Sequence, residues 1–271
     1  NPLYHWSHLE LQRYFDFHKP LNADTAEEAW QVCNAKLAHA DMSVRNLIRR
    51  SNVTVICTTD DPIDTLEWHD AIAKDDTFEV KVLPAWRPDK AMNIEKPDFT
   101  DYIAKLADVS GVAISNFEDL KKALKVRLDY FASKGCCVSD HALNYVMFAP
   151  ASAEEIEAIF AKRLAGDAVT EQEELKYKTA FMLFVGKEYH RLGWVMQLHY
   201  GVKRDNSQRI FRATGPDTGI DCISNYTPSA QLADFLNALD VTDELPKTII
   251  YSLNPIDNAA IGTIIGCFQN R

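Results

Sequence analysis

The chain has 271 residues, and its 29 Lys and Arg against 39 Asp and Glu give a formal net charge of −10. A surface this acidic repels phosphate backbones and anionic lipid, and no run of basic residues offsets it, so binding to nucleic acid or to a membrane is not expected. Hydrophobic residues make up 46% of the chain, and no apolar stretch approaches the ~20 residues of a membrane span. The composition therefore predicts a soluble globular protein rather than a disordered one.

The predicted elements begin with helices. Over residues 1–50 the apolar periodicity predicts helices at His8–Phe17, Ala26–His39 and Val44–Arg50. From residue 51 onward, short apolar or β-branched runs predict strands at Val53–Thr58, Glu79–Trp86, Gly135–Ser139, Trp194–His199 and Thr248–Asn254. Helical periodicity separates these runs, and an extra helix within about 141–170 precedes a long one at Thr170–Leu192.

Local signals mark where several of these elements start and stop. Capping-box spacing occurs at Ser115–Glu118, Ser152–Glu155 and Thr170–Glu173, and Gly135 and Gly193 suit helix ends. Three strands are followed by a proline, at Asp61-Pro62, Arg87-Pro88 and Asn254-Pro255. Because proline keeps the preceding residue extended and suits the first turn of a helix, each proline marks a strand that leaves the sheet.

Nearly apolar strands that alternate with helices predict a parallel sheet covered by helices. The pattern fits an interior slice of a (β/α)₈ TIM barrel or of a doubly wound sheet, and it favours the barrel only modestly. We expect an α/β chain with a helical segment over residues 1–50. A partial (β/α) barrel is expected over residues 51–271, with a helical insertion at about 141–170.

The ends of the chain and its cysteines bear on its context. The sequence opens at Asn1 without an initiator Met or a signal-peptide pattern and stops just after an apolar segment, so we expect the interior of a longer protein. The six cysteines lack CxxC and disulfide-framework spacing. They are expected to be small buried hydrophobic residues in a reducing, cytoplasmic compartment.

The carboxyl ends of parallel strands carry the functional sites of such folds, because the loops there converge on one mouth. This rule selects Thr58 to Asp61, Arg87, Asp140 with His141, His199 with Tyr200, and Asn254. An arginine offers a planar fork for a carboxylate, whereas Asp and His transfer protons or bind metal. The loop 201–225 adds Lys203, Arg204, Arg209 and Arg212, and a basic loop on an acidic protein suggests an anionic small ligand.

Structural alternatives remain open for most of these residues. Asp60 and Asp61 also suit the cap of a helix that begins near Pro62. Arg87 also suits a structural ion pair, and Asp140 with His141 a satisfied buried pair. For His199 function is favoured, because it shares a strand face with Gln197 by the period of two, and inward polar residues need partners. The remaining histidines are expected to be surface or packing residues: His5, His8, His39, His69 and His190.

Several segments resemble those of the uronate (glucuronate) isomerases. They lie at residues 1–11, 58–64, 86–91, 139–141, 193–199, 215–219 and 245–255, and they run in order from the first residue almost to the last. The dinucleotide, P-loop, serine-hydrolase and zincin motifs GxGxxG, GxxxxGK[ST], GxSxG and HExxH are absent from the sequence.

The resemblance implies a metal-dependent (β/α)₈ barrel of the amidohydrolase superfamily. It implies an aldose–ketose isomerase that interconverts D-glucuronate with D-fructuronate, and D-galacturonate with D-tagaturonate. A divalent metal is expected, zinc ahead of manganese, with His199 as a ligand. His199, Asp140 and His141 are the catalytic candidates, and Arg87, Asn254 and Arg209 are the substrate-binding candidates. We also expect a homo-oligomer.

The family's His-x-His pair and its Asp-Ser-Arg segment are absent from these 271 residues, so the other metal ligands are expected outside this chain. Two further functions remain open. A metal-dependent hydrolase on the same barrel would use the same His and Asp residues on an amide or ester. A non-enzymatic acidic-sugar-binding protein would also alternate strands and helices, although such proteins are usually exported, which fits poorly with six unpaired cysteines.

Overall fold

The computed structural model describes residues 2–269. The helices are α1 Pro2–Phe15, α2 Ala26–Leu37, α3 Val44–Arg50, α4 Glu67–Ala73, α5 Asp89–Met92, α6 Phe99–Ser110, α7 Phe117–Ser133, α8 Ala153–Leu164, α9 Glu171–Leu192, α10 Gln208–Thr214, α11 Ser229–Asp240 and α12 Asn258–Cys267. The strands are β1 Val55–Cys57, β2 Lys81–Leu83, β3 Val138–Ala142, β4 Val195–Tyr200, β5 Val202–Lys203, β6 Cys222–Ile223 and β7 Thr248–Ser252.

The residues up to Ile56 form one compact unit together with Ile72–Lys81, so this unit extends beyond the helical segment expected over residues 1–50. Helix α3 begins at the hydroxyl of Ser43, which accepts a hydrogen bond from the Asn46 N–H. Ion pairs tie α3 to the second segment of the unit. The arginine–carboxylate distances are 2.7 Å for Arg45–Asp75 and 2.9 Å for Arg49–Glu79.

The second unit comprises Cys57–Ala71 and the chain from Val82 onward, and it is built on parallel strands. β3 pairs with β4, and β4 with β7, in parallel register. Parallel bridges from Asp60 to Trp86 and from Trp86 to Ser139 extend this ladder beyond β3. The paired segments of this unit therefore follow one another in chain order, from Asp60 through Trp86 and β3 to β4 and β7, without the reversal that defines a doubly wound sheet. The predicted barrel-like α/β fold is confirmed.

Helix α9 covers this sheet with a buried stripe of four side chains, each four residues from the next: Tyr177, Phe181, Val185 and Tyr189. The spacing of four matches one face of an α-helix. Gly186 lies where a Cβ would come within 2.9 Å of the Leu239 side chain, so the glycine permits close packing of α9 against α11. Trp86 is fully buried and packs edge-on against Phe131 at 4.9 Å between ring centroids.

Two buried arginines hold the segments that follow β1 and β2. Arg127 of α7 donates to the carbonyl oxygens of Pro62 and Asp64 at 2.7 and 2.8 Å. Arg163 of α8 donates to the carbonyl oxygens of Ile94 and Lys96, at 2.9 Å in both cases. Their hydrogen bonds satisfy backbone groups that irregular segments would otherwise leave unpaired.

Some sequence expectations need correction. Helix α7 is capped by Asn116 rather than Ser115, because the Asn116 side chain accepts from the Asp119 N–H. Pro62 starts a turn and α4 begins only at Glu67, so Asp60 and Asp61 do not cap a helix there. The antiparallel pair β5–β6 within the loop 201–225 was not expected.

The cysteines also differ from expectation. Cys136 alone is buried, Cys33 is intermediate, and the other four are exposed. Most of the thiols therefore do not serve as core residues in this structure.

Candidate active site

Arg87, Asp140 and His199 come together from three neighbouring segments: Arg87 follows β2, Asp140 is the middle residue of β3, and His199 lies near the end of β4. Nη2 of Arg87 lies 2.6 Å from Oδ2 of Asp140. Nε2 of His199 lies 2.9 Å from Oδ1 of the same carboxylate, although the angles are not those of a hydrogen bond. The Asp140 side chain is only 12% exposed, whereas those of Arg87 and His199 are 36% and 45% exposed. A shielded carboxylate thus joins two side chains that solvent can reach.

A cavity of about 460 Å³ opens beside this cluster. The residues that line it are Arg87, Ala142, His199, Tyr200, Val202, Arg204, Tyr251, Ser252 and Leu253. Arg204, which pairs with Asp221 at 3.2 Å, is the cation that the basic loop contributes to this lining. A cavity of this size accommodates a small-molecule ligand.

His199 is stacked on Tyr251, with parallel rings 4.4 Å apart between centroids. The Tyr251 hydroxyl donates to Oε1 of Gln197 at 3.0 Å, and the Gln197 amide donates to the carbonyl oxygen of Ser139 at 3.3 Å. Gln197 and His199 share the less buried face of β4, as the period of two predicts. A tyrosine from β7 therefore fixes the plane of the imidazole.

His141 points away from the cavity. It is fully buried, and its Nε2 lies 3.0 Å from the hydroxyl of Tyr189 in α9. Its Nδ1 lies 3.6 Å from Oδ1 of Asp89, whose other oxygen accepts from the Ala142 N–H at 3.1 Å. Burial raises the pKa of Tyr189 well above its ordinary value, so this hydroxyl stays neutral. His141 therefore lies behind the cavity lining, and a catalytic role for it stays a prediction.

Asn254 and Arg209, the other two predicted substrate-binding residues, do not line this cavity. Asn254 uses its side chain to accept from the Ile256 N–H and to donate to the Ser224 carbonyl oxygen, so it organises the turn after β7. Arg209 is exposed on α10 and does not line the cavity. Their roles in binding substrate stay predictions.

The sequence did not predict three residues that make polar contacts in this part of the structure. Asp89 was not a candidate, although it follows Arg87-Pro88 directly. Tyr189 gives no signal, because a tyrosine on a helical stripe usually belongs to the core. His69 was expected to be a surface or packing residue, and its Nε2 lies 2.8 Å from the Thr58 hydroxyl, which donates to Asp60. These contacts depend on residues that are distant along the chain.

A metal site requires several nitrogen or oxygen donors around one point. Residues 2–269 contain no group of three or more His, Cys, Asp or Glu side chains that could hold a metal ion. His199 and Asp140 offer one nitrogen and one carboxylate side by side. The described part of the chain therefore does not form a complete metal site.

None of the helices within residues 2–269 is long and apolar enough to cross a membrane.

The amino-acid sequence of the chain is similar to those of known uronate isomerases. The curated uronate isomerases of Lachnoclostridium phytofermentans and Lachnospira eligens are 69% and 65% identical to the chain over 270 residues. Both alignments cover the whole chain but only 58% of each relative, so the chain spans less than two thirds of their length.

The fold is also similar to solved structures of uronate and glucuronate isomerases. A crystal structure of a uronate isomerase from Thermotoga maritima matches with a TM-score of 0.89 and 36% identity, and the match covers 97% of this chain and 57% of that one. A glucuronate isomerase from Caulobacter crescentus matches with a TM-score of 0.83 and 25% identity, over 94% and 53% of the two chains. The sequence model of the glucuronate isomerase family matches residues 1–271. The chain belongs to the glucuronate isomerase family.

Proposed function

We propose that the full-length protein containing this chain is a uronate isomerase. It would interconvert D-glucuronate with D-fructuronate, and D-galacturonate with D-tagaturonate. Besides family membership, one observation carries the proposal. A cation suited to a carboxylate, Arg87, lies at one cavity with an acid–base pair, Asp140 and His199.

The reaction moves protons and adds no atoms. A proton leaves C2, a proton arrives at C1, and the C2 hydroxyl proton is replaced by one on the oxygen of C1. We assign these transfers to Asp140, because a carboxylate can accept and return a proton, and His199 lies 2.9 Å away to orient it. Arg87 would hold the C6 carboxylate through its guanidinium, which is 36% exposed and lines the cavity.

We also propose that the full-length protein binds a divalent metal, zinc ahead of manganese, with His199 among its ligands. When bound, such an ion polarises a carbonyl oxygen. The proposal is supported by the sequence resemblance and by the accessible imidazole of His199. Metal analysis of the full-length wild type and of His199→Ala tests it, and equal metal content in the two would remove His199 from the ligand set.

A cytoplasmic location is supported by six cysteines that form no disulfide. A homo-oligomer is supported by large apolar side chains that α1 and α2 leave exposed, such as Trp6 and Trp30. Cell fractionation tests the location, and light scattering on the full-length protein tests the oligomer.

The isomerase proposal is tested by incubating the full-length protein with D-glucuronate, D-galacturonate and neutral D-glucose, and following the ketose products by NMR. Turnover of the two uronates but not of glucose is expected. Hydrolysis of an amide or ester panel without uronate turnover would point to the hydrolase alternative. Uronate binding without turnover would point to a sugar-binding protein.

A further inference from the structure

Four buried polar atoms without a hydrogen-bond partner cluster behind the cavity: Arg87 Nε, Asp89 Oδ1, Asp140 Oδ1 and His141 Nδ1. Buried polar atoms are normally hydrogen bonded, so such a concentration calls for a physical explanation. The other such atoms in residues 2–269 lie on His69, Trp86 and Glu95, and Trp86 adjoins Arg87 in the chain.

Asp89 stands between two potential donors and completes a bond to neither. Its Oδ1 lies 3.6 Å from His141 Nδ1, and its Oδ2 lies 3.7 Å from Arg87 Nε. Both distances exceed the ~2.7–3.2 Å of an N–H···O hydrogen bond. The Ala142 N–H donates to Oδ2 at 3.1 Å and anchors the carboxylate in this position.

The hydrogen on His141 can be assigned from its neighbours. A carboxylate only accepts, so its negative charge favours the tautomer with the hydrogen on Nδ1, the ring atom that faces Asp89 across 3.6 Å. A neutral imidazole has one N–H, which leaves Nε2 as an acceptor. The Tyr189 hydroxyl, 3.0 Å away, then donates to it. Tyr189 thereby directs the His141 N–H towards Asp89.

We propose that Tyr189, His141 and Asp89 are positioning residues that set the direction of the Arg87 guanidinium and, through it, of Asp140. The three residues do not line the cavity, so they act through Arg87, whose Nη2 contacts Asp140 at 2.6 Å. The inference rests on the proposed isomerase function, because it concerns the pair assigned to substrate binding and proton transfer. Exact placement of such a pair strongly affects rate.

Two substitutions at His141 separate positioning from mere packing. His141→Asn keeps an amide N–H on Cγ, where Nδ1 stood, and so retains the donor to Asp89. His141→Gln places its amide near the former Nε2 and loses that donor. Both variants leave a smaller side chain in the core, so both should lower the melting temperature.

Kinetics on D-glucuronate with the full-length protein provide the test. We expect His141→Gln to lose about 10- to 100-fold in kcat/KM, the usual effect of removing a group that orients a functional side chain, while His141→Asn retains most of the activity. Tyr189→Phe should fall between them. Tyr177→Phe is the matched control, because this buried tyrosine of the same helix donates to the Ala91 carbonyl oxygen and should keep normal kcat/KM.

Equal kcat/KM in His141→Asn and His141→Gln, or a loss in Tyr177→Phe as large as in Tyr189→Phe, would overturn the proposal. If the wild type fails to turn over uronates, the proposed function fails instead. The network is then judged from crystal structures of the two His141 variants. The Arg87–Asp140 contact should be displaced in His141→Gln and preserved in His141→Asn, and an unchanged contact in both would overturn the inference.

Discussion

Substitution of Arg87 probes the candidate site most directly. Arg87→Lys keeps the positive charge but loses the planar fork that contacts Asp140 and that the proposed function assigns to a substrate carboxylate. The change removes one charged hydrogen bond, so we expect a loss of about 1.5–3 kcal/mol of transition-state stabilisation, or roughly 10- to 150-fold in kcat/KM on D-glucuronate. Arg87→Met should lose more, because it also leaves the shielded Asp140 carboxylate without its cation.

The assay is kcat/KM of the full-length protein, measured beside circular dichroism and metal content, which should both stay normal. Arg191 supplies a matched control. Its side chain is 39% exposed and also contacts two carboxylates, Asp129 at 2.7 Å and Glu188 at 2.6 Å. Arg191→Met should therefore keep wild-type kinetics. Turnover near the wild-type level in Arg87→Met would refute the reasoning and direct attention to Arg204, which lines the same cavity.

Three further outcomes are expected. Hydrogen bonds from Lys162 and from the Thr170 N–H lower the pKa of Glu173 from 4.5 to about 2, so its stabilising effect is complete above pH 4.5 and fades as the pH falls towards 2. Glu173→Gln should flatten this part of the curve of unfolding free energy against pH, and an unchanged curve would contradict the assignment. Gly193→Ala forces an L residue to φ 68° where a Cβ meets no atom, so urea unfolding should show a purely conformational cost of about 1 kcal/mol. Tyr251→Ala removes the ring stacked on His199 and should lower kcat/KM by roughly 2- to 13-fold, from ~0.5–1.5 kcal/mol of stacking, whereas Tyr251→Phe should not.

Short sequence motifs predicted much of the fold. The capping boxes at Ser152 and Thr170 and the helix end at Gly193 form as expected, because each depends on residues within one turn. The strand ends marked by Arg87-Pro88 and Asn254-Pro255 lie close to where the strands stop. Strand order was less accessible, since a barrel and a doubly wound sheet share the same alternation of elements.

The candidate site could be predicted only in part from the sequence. The position of Arg87, Asp140 and His199 at strand ends predicted that they meet, and they do. The direction of His141 was not predictable, because the side chains of adjacent strand residues point to opposite faces and the sequence does not say which face Tyr189 covers. The choice between Arg204 and Arg209 likewise depends on the irregular path of the loop 201–225.

The buried arginines of α7 and α8 have a consequence for how the segments after β1 and β2 can vary. Arg127 and Arg163 donate hydrogen bonds to backbone carbonyl oxygens and not to side chains of these segments. Every amino acid has such a carbonyl oxygen. Substitutions within residues 62–64 and 94–96 therefore leave these backbone acceptors in place. An inserted or deleted residue would move the carbonyls out of reach of the guanidinium groups. Loop length, and not loop sequence, is what these two arginines constrain.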